Sequence, residues 1–140
     1  MPSLTQIRTA LKTTIQDAIP GLTGYRTTPE QANLPAFVII PRATNFMVAM
    51  GRGADTYDLD VIVLISRRDD GLAQDDLDEY VNGFGDKSIR QAVWNNRTLG
   101  LDECEATVVG LSDYGARFSI SDIDHVGARL LVRVMTSGKA

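Results

Sequence analysis

Tyr57-Asp58-Leu59-Asp60-Val61-Ile62-Val63-Leu64-Ile65 alternates with the two-residue period of a β-strand. The second face of this strand changes from Asp58 and Asp60 to Ile62 and Leu64. This change predicts a strand that is half exposed at one end and buried on both faces at the other. The first face is apolar at every position and would hold Tyr57, Leu59, Val61, Val63 and Ile65.

A glycine-rich turn, Gly51-Arg52-Gly53, precedes this strand. Because a second strand-like run, Thr44 to Met50, lies on its other side, the two runs predict a long β-hairpin. Before the hairpin, Pro35 to Pro41 is a short apolar run that predicts a buried strand with a proline at each end. An apolar hairpin with a charged tip is typical of an arm that binds another protein, and ordinary core is the alternative. The residues of this candidate arm are Phe46, Met47, Val48, Met50 and Arg52.

Helices are predicted on both sides of these strands. Ser3 and Gln6 form a capping box, so residues 4–18, with apolar positions at helical spacing, should be an amphipathic helix. Residues 69–86 include seven carboxylates and no basic residue, which predicts a helix with an acidic outer face. Asp86 would then cap a second, shorter helix. The apolar stripe of the acidic helix would hold Leu72, Leu77, Tyr80, Val81 and Phe84.

Two strand-like runs close the sequence, at residues 106–114 and 125–136, with a polar turn-forming stretch between them. The predicted fold is therefore a single α+β domain over residues 1–140. Its mixed or antiparallel sheet has about five strands, and an N-terminal helix and a helix pair pack on that sheet.

Charged residues are expected on one face of this sheet. Asp58 and Asp60 share a face of their strand, and Arg129 and Arg133 share a face of theirs. If these two strands pair, opposite charges lie across from each other, either within one chain or between neighbouring chains. We favour pairing between chains, because arginine suits interface ion pairs.

Composition excludes several classes of function. The chain has 14 basic and 18 acidic residues and a formal net charge of -4, which disfavours non-specific DNA binding. A single cysteine, Cys104, cannot form an internal disulfide, and a single histidine, His125, cannot build a multi-histidine metal site. Neither residue has the surroundings of a nucleophile or a general base. We expect no catalytic, metal or cofactor site. Without a signal peptide or an apolar run long enough to span a bilayer, a protein of the cell interior is expected.

The order of these elements resembles the tail terminator proteins of long-tailed bacteriophages. The resemblance includes the N-terminal amphipathic helix, the Pro35 to Pro41 strand, the hairpin leading into Tyr57 to Ile65 and the acidic helix pair. It ends with the closing run Gly127-Ala128-Arg129-Leu130-Leu131-Val132-Arg133-Val134.

The resemblance implies a structural virion protein of the tail and neck, assembled in the host cytoplasm, that forms a homohexameric ring. Such a ring would cap the major tail tube protein, stop tube growth and present a surface to the head connector. DNA would pass through the ring without specific binding, which suits an acidic chain. The alternatives are a head-to-tail adaptor, or neck, protein and a small enzyme.

Overall fold

The computed structural model describes residues 3–27, 34–46, 55–66, 71–101, 104–120 and 123–136. Helix α1, Leu4–Ala18, begins at the predicted capping box. The Ser3 side chain accepts a hydrogen bond from the Gln6 N–H at 3.2 Å, and the Gln6 side chain accepts one from the Ser3 N–H at 2.8 Å. Two N–H groups at the start of the helix are thereby satisfied. The buried stripe of α1 consists of Ile7, Leu11, Thr14 and Ile15.

Five strands form one mixed sheet: β1 (Thr23–Tyr25), β2 (Ala36–Asn45), β3 (Asp55–Ser66), β4 (Cys104–Ile120) and β5 (Ile123–Thr136). Their order across the sheet is β1-β2-β3-β5-β4. β1 runs parallel to β2, and all other neighbours are antiparallel. The predicted α+β class, the strand number and the antiparallel pairing of the hairpin strands are confirmed.

The helices cover one face of the sheet. The alternation predicted for β3 is confirmed, because Tyr57, Leu59 and Val61 are buried in the main core together with residues of all three helices. β5 contributes its own alternate positions to this core, namely Ala128, Leu130, Val132 and Val134. We call the opposite side of the sheet the outer face.

The predicted boundary of β2 at Pro41 is wrong. β2 continues to Asn45, and its pairing register with β3 shifts between Pro41 and Ala43. Among the described residues, β1 pairs with β2 only as far as Val38. Beyond that point no other described strand pairs with this side of β2, and a proline that lacks an N–H is tolerated at such an edge.

The helix pair is shorter than predicted. Helix α2 is Gly71–Val81, and helix α3 is Ile89–Asn95. Phe84 is 78% exposed and does not belong to the apolar stripe, because α2 ends before it. The cap of α3 is Ser88 instead of Asp86, since the Ser88 Oγ accepts from the Gln91 N–H at 3.1 Å. Leu77 and Tyr80 are buried as predicted.

β4 extends beyond the predicted end at Tyr114. Residues expected to form a turn instead form an irregularity in the strand, where Asp113 and Gly115 have φ of 53° and 74°. The register with β5 shifts there, between Ser112 and Ala116. Past this point, residues 116–120 and 123–127 form a continuation that we call the distal hairpin.

The distal hairpin covers part of the outer face. Phe118 packs against a second buried cluster on that face, which confirms that one end of β3 is buried on both sides. Gly127 allows β5 to lie close to β3, because a Cβ at this position would clash with the carbonyl oxygen of Val63. The second cluster consists of Ala36, Val38, Ile62 and Leu64.

Candidate assembly surfaces

Asp58 and Arg133 form a cross-strand ion pair on the outer face. They lie directly opposite each other in the β3–β5 register. The Arg133 Nε donates to the Asp58 Oδ1 at 3.0 Å, and 25% of the Asp58 side chain is exposed. Because solvent screens a pair in this position, it stabilises the fold by about 0.2–1 kcal/mol.

Asp60 is more buried and lies between two arginines. Its side chain is 11% exposed; the Arg42 Nε is 3.8 Å from the Oδ1, and the Arg129 Nε is 3.6 Å from the Oδ2. These distances are too long for hydrogen bonds, and the Asp60 Oδ1 and the Arg129 Nε have no hydrogen-bond partner in the described part of the chain. The Oδ1 of this carboxylate is therefore held by charge attraction without a directional bond to a described residue.

The same group of charges crosses four strands of the sheet. The Arg129 Nη1 lies 3.2 Å from the Asp113 Oδ2, and the Arg129 guanidinium lies 5.7 Å from the centre of the Phe118 ring. Arg42, Asp60, Arg129 and Asp113 thus connect β2, β3, β5 and β4 in that order. This network joins the distal hairpin to the centre of the sheet.

The predicted pairing of Asp58 and Asp60 with Arg129 and Arg133 is confirmed. The preference for pairing between chains is wrong, because each carboxylate lies within 4 Å of an arginine of its own chain. Sequence spacing places these residues on one face but does not show which strands are neighbours. An assembly role for the outer face remains a prediction.

Of the candidate arm, the structure describes Phe46. Its side chain is 71% exposed, and it directly follows Asn45, the last residue of β2. The other arm residues, Met47, Val48, Met50 and Arg52, lie outside the described residues. Phe46 is therefore not part of the core, which contradicts the alternative interpretation for this residue. Its role in assembly remains a prediction.

Further exposed apolar side chains lie at the β4 end of the sheet, and the sequence analysis did not single them out. Val109 is 52% exposed and Leu111 is 44% exposed. Val109 falls where the pairing register shifts between Val108 and Gly110. Alternation along β4 predicts a strand, but the identity of the edge strand comes only from the sheet order. No signal in the sequence alone marks these residues.

Trp94 is another exposed residue that was not predicted from the sequence. It is 56% exposed on α3, and the Arg97 guanidinium lies 4.4 Å from the centre of its ring. The Arg97 carbonyl accepts a hydrogen bond from the Ala106 N–H on β4 at 2.7 Å, so this stacked pair adjoins the edge of the sheet. Tryptophan and arginine are enriched among the residues that dominate binding energy at interfaces.

Tyr114 connects the β4 end to the acidic helix. Its hydroxyl donates a hydrogen bond to the Asp78 Oδ1. This hydrogen bond is the main cause of the raised pKa of the Tyr114 phenol, with smaller effects from burial and from the charges of Asp78 and Asp75. The acidic side of α2 that was predicted from the sequence therefore extends towards β4.

The two residues considered for catalysis are both buried. Burial raises the pKa of the Cys104 thiol, which disfavours the reactive thiolate. His125 is 1% exposed, and neither of its ring nitrogens has a hydrogen-bond partner among the described residues. A base that accepts a proton from substrate must be within hydrogen-bond reach of it, and His125 is enclosed by the fold.

Shallow grooves lie beside α1 and α3. One has a volume of about 470 Å³ between the two helices, with Thr13, Asp17 and Asn95 at its rim. Within the described ranges, no group of three or more histidine, cysteine, aspartate or glutamate side chains could hold a metal ion. No helix in the same residues is both long and apolar enough to cross a membrane.

The chain matches no known protein-family model. A search of curated proteins likewise finds no similar sequence.

Proposed function

We propose that this chain is a structural subunit of a phage tail, a tail terminator that forms a homohexameric ring at the head-proximal end of the tail tube. In this role it stops tube polymerisation and provides the surface to which the head connector binds. The protein works through complementary surfaces. Its partners are other copies of itself, the major tail tube protein and the connector.

The observation that carries this proposal is the exposure of Phe46, which directly follows the last residue of β2. Phe46 is 71% exposed and lies beside an apolar segment of the sequence. Such a side chain is typical of a surface that becomes buried against another protein chain. The element order supports the same role, because the capped helix, the hairpin, the helix pair and the closing strand follow the order on which the resemblance is based.

The shape of the sheet also supports a ring. Its two ends differ, because the strand at one end is the three-residue β1 and the strand at the other is the seventeen-residue β4. Contact between unlike surfaces of identical subunits produces a closed ring when the rotation between neighbours closes. A sheet with different ends provides two such surfaces.

The test combines purified protein with purified tail tubes. We expect light scattering and electron microscopy to show six-membered rings, either alone or at the ends of tubes, and tubes that no longer elongate. The Phe46→Ser/Met50→Ser variant should remain a folded monomer but assemble less, because interface anchors are typically aromatic residues or methionine.

A monomer that leaves tube growth unchanged would contradict the proposal. Unfolding of the double variant would instead show that the arm belongs to the core of its own chain. Twelve-membered or head-bound assemblies would favour the head-to-tail adaptor over the tail terminator.

A further inference from the structure

Helix α3 presents two arginines and a tryptophan on its exposed side. Arg90 and Trp94 lie four residues apart, so their side chains are neighbours on one side of the helix. Arg97 follows the end of α3, and its guanidinium stacks on the Trp94 ring at 4.4 Å from the ring centre. All three residues are exposed, and we call them the tryptophan–arginine surface.

The tryptophan–arginine surface is bounded by the α2–α3 loop and by the sheet. A Cβ added at Gly83 would come within 2.9 Å of the Arg90 Nη1, so this guanidinium lies against the loop. Phe84, the next residue of the loop, is 78% exposed. At the other boundary, the Arg97 carbonyl accepts a hydrogen bond from the Ala106 N–H on β4. Both arginines are therefore positioned by contacts of the fold around them.

The two arginines are unpaired within the described part of the chain. Neither the Arg90 nor the Arg97 guanidinium belongs to an ion pair between described residues. Asp86, the described carboxylate nearest to Arg90 in sequence, makes no such pair either. Glu105 is the one nearest to Arg97, and it pairs with Met135 on the outer face, opposite the helices. The surface therefore offers two positive charges to a partner.

Stacking prepares Arg97 to bind a carboxylate. A guanidinium that lies over an aromatic ring uses its flat face for that contact, so its N–H groups point outward in its own plane. These N–H groups match the two oxygens of a carboxylate, and the stacked position lowers the side-chain entropy lost on binding. Trp94, which is 56% exposed, adds apolar area beside them. This combination favours an acidic segment that also carries apolar side chains.

Nucleic acid and a second copy of the chain fit this surface less well. Arg97 already covers one face of the indole, which is then closed to a stacking base, and the net charge of -4 opposes binding to phosphates. In a second copy, the acidic segment would be α2. Two of the exposed carboxylates of α2 already have partners, since Asp78 accepts from Tyr114 and Glu79 pairs with Lys87.

We propose that the tryptophan–arginine surface binds an acidic segment of another protein. Arg90 and Arg97 pair with carboxylates of that segment, and Trp94 packs against an apolar side chain between them. This inference goes beyond the proposed function, because the surface belongs to the single chain and depends on neither ring formation nor tube binding.

Trp94 is the single tryptophan of the chain, so tryptophan fluorescence reports on this surface directly. The probe is a short glutamate-rich peptide with interspersed leucines. We expect this peptide to change the emission saturably and to bind more weakly as salt is added. The same peptide with lysine in place of glutamate should have no effect. Arg90→Glu/Arg97→Glu should lower the association constant of the glutamate peptide at least about tenfold.

The matched control reverses two exposed arginines elsewhere. Arg26→Glu/Arg117→Glu changes the net charge equally and should bind the glutamate peptide within about threefold of the natural protein. Trp94→Ala removes the fluorescent reporter, so calorimetry measures its affinity, which should also fall at least about tenfold. Circular dichroism checks that each variant is folded. If the reversed pair does not fold, Arg90→Ala/Arg97→Ala takes its place.

Three results would overturn this assignment: no change of emission with the glutamate peptide, an equal loss of binding in the matched control, or tighter binding of single-stranded DNA through the same two arginines. Self-association that Arg90→Glu/Arg97→Glu abolishes would make a second copy the occupant and would likewise overturn it. Rings that do not form, or tubes that are not bound, contradict the proposed function and leave the binding of the peptide as it was.

Discussion

Asp58 and Asp60 point to the same face of β3 but have different surroundings. Asp58 accepts a hydrogen bond from Arg133 near the solvent, whereas Asp60 is more buried and lies 3.6 and 3.8 Å from two arginine Nε atoms. Alternation in the sequence places both carboxylates on one face. It does not distinguish them, because the second arginine near Asp60 comes from β2 after a register shift that no residue pattern predicts.

The Asp58–Arg133 pair predicts a measurable coupling within the monomer. A double-mutant cycle of Asp58→Ala and Arg133→Ala, measured by urea unfolding, should give a coupling energy of about 0.2–1 kcal/mol. The exposed Glu79–Lys87 pair on the helical side is the control and should give a smaller value. A coupling of zero for Asp58 and Arg133 in the monomer would contradict the pairing within the chain.

Cys104 predicts a loss of stability at alkaline pH. Burial raises the pKa of its thiol, so folding favours the protonated form. The stabilisation is fully present below the unfolded-state pKa of about 8.5 and is lost as the pH rises through the higher folded-state value. The free energy of unfolding should therefore fall more steeply above about pH 8.5 in the natural protein than in Cys104→Ala. Identical pH profiles for the two proteins would contradict this assignment.

At the scale of the elements, the close approach of β5 to β3 depends on Gly127. A side chain at this position would clash with the Val63 carbonyl oxygen, so Gly127→Ala should lower the free energy of unfolding by about 2 kcal/mol or more. The control is Gly110→Ala in β4, whose added Cβ would meet only the Leu131 Cδ1 at 3.7 Å. Gly110→Ala should be neutral or slightly stabilising in thermal unfolding. Equal effects of the two substitutions would contradict a special role for Gly127.

The elements predicted best are those whose pattern is local. The Ser3 capping box and the alternation of β3 depend on residues close in sequence, and both were predicted with the observed boundaries or faces. β1 was missed, because its three residues include Gly24 and show no alternation. The end of β4 was wrong, because Asp113 and Gly115 have turn conformations inside a continuing strand. The predicted number of strands, five, was correct, although the predicted strands were not the same five that the structure shows.

At the scale of the whole molecule, sequence patterns did not show which surfaces lie together. The acidic residues of α2 were recognised, but their position beside β4 follows from the Tyr114–Asp78 contact. Arg8 on α1 donates a hydrogen bond to the carbonyl oxygen of Arg26 after β1, and no sequence spacing relates these two residues. Such surfaces depend on tertiary packing, and this is why they could be identified only after the sheet order was determined.

The pairing of β3 with β5 inside the sheet has a consequence for the order in which the chain folds. β2–β3 and β4–β5 are neighbours in sequence, so each can form early as a hairpin. β3 meets β5 only after α2, α3 and the whole of β4, since Leu59 pairs with Val132. During synthesis at the ribosome, the edge of β3 that pairs with β5 therefore stays unpaired until this last strand emerges. Until then, the unpaired edge leaves the nascent chain prone to aggregation and open to binding by chaperones.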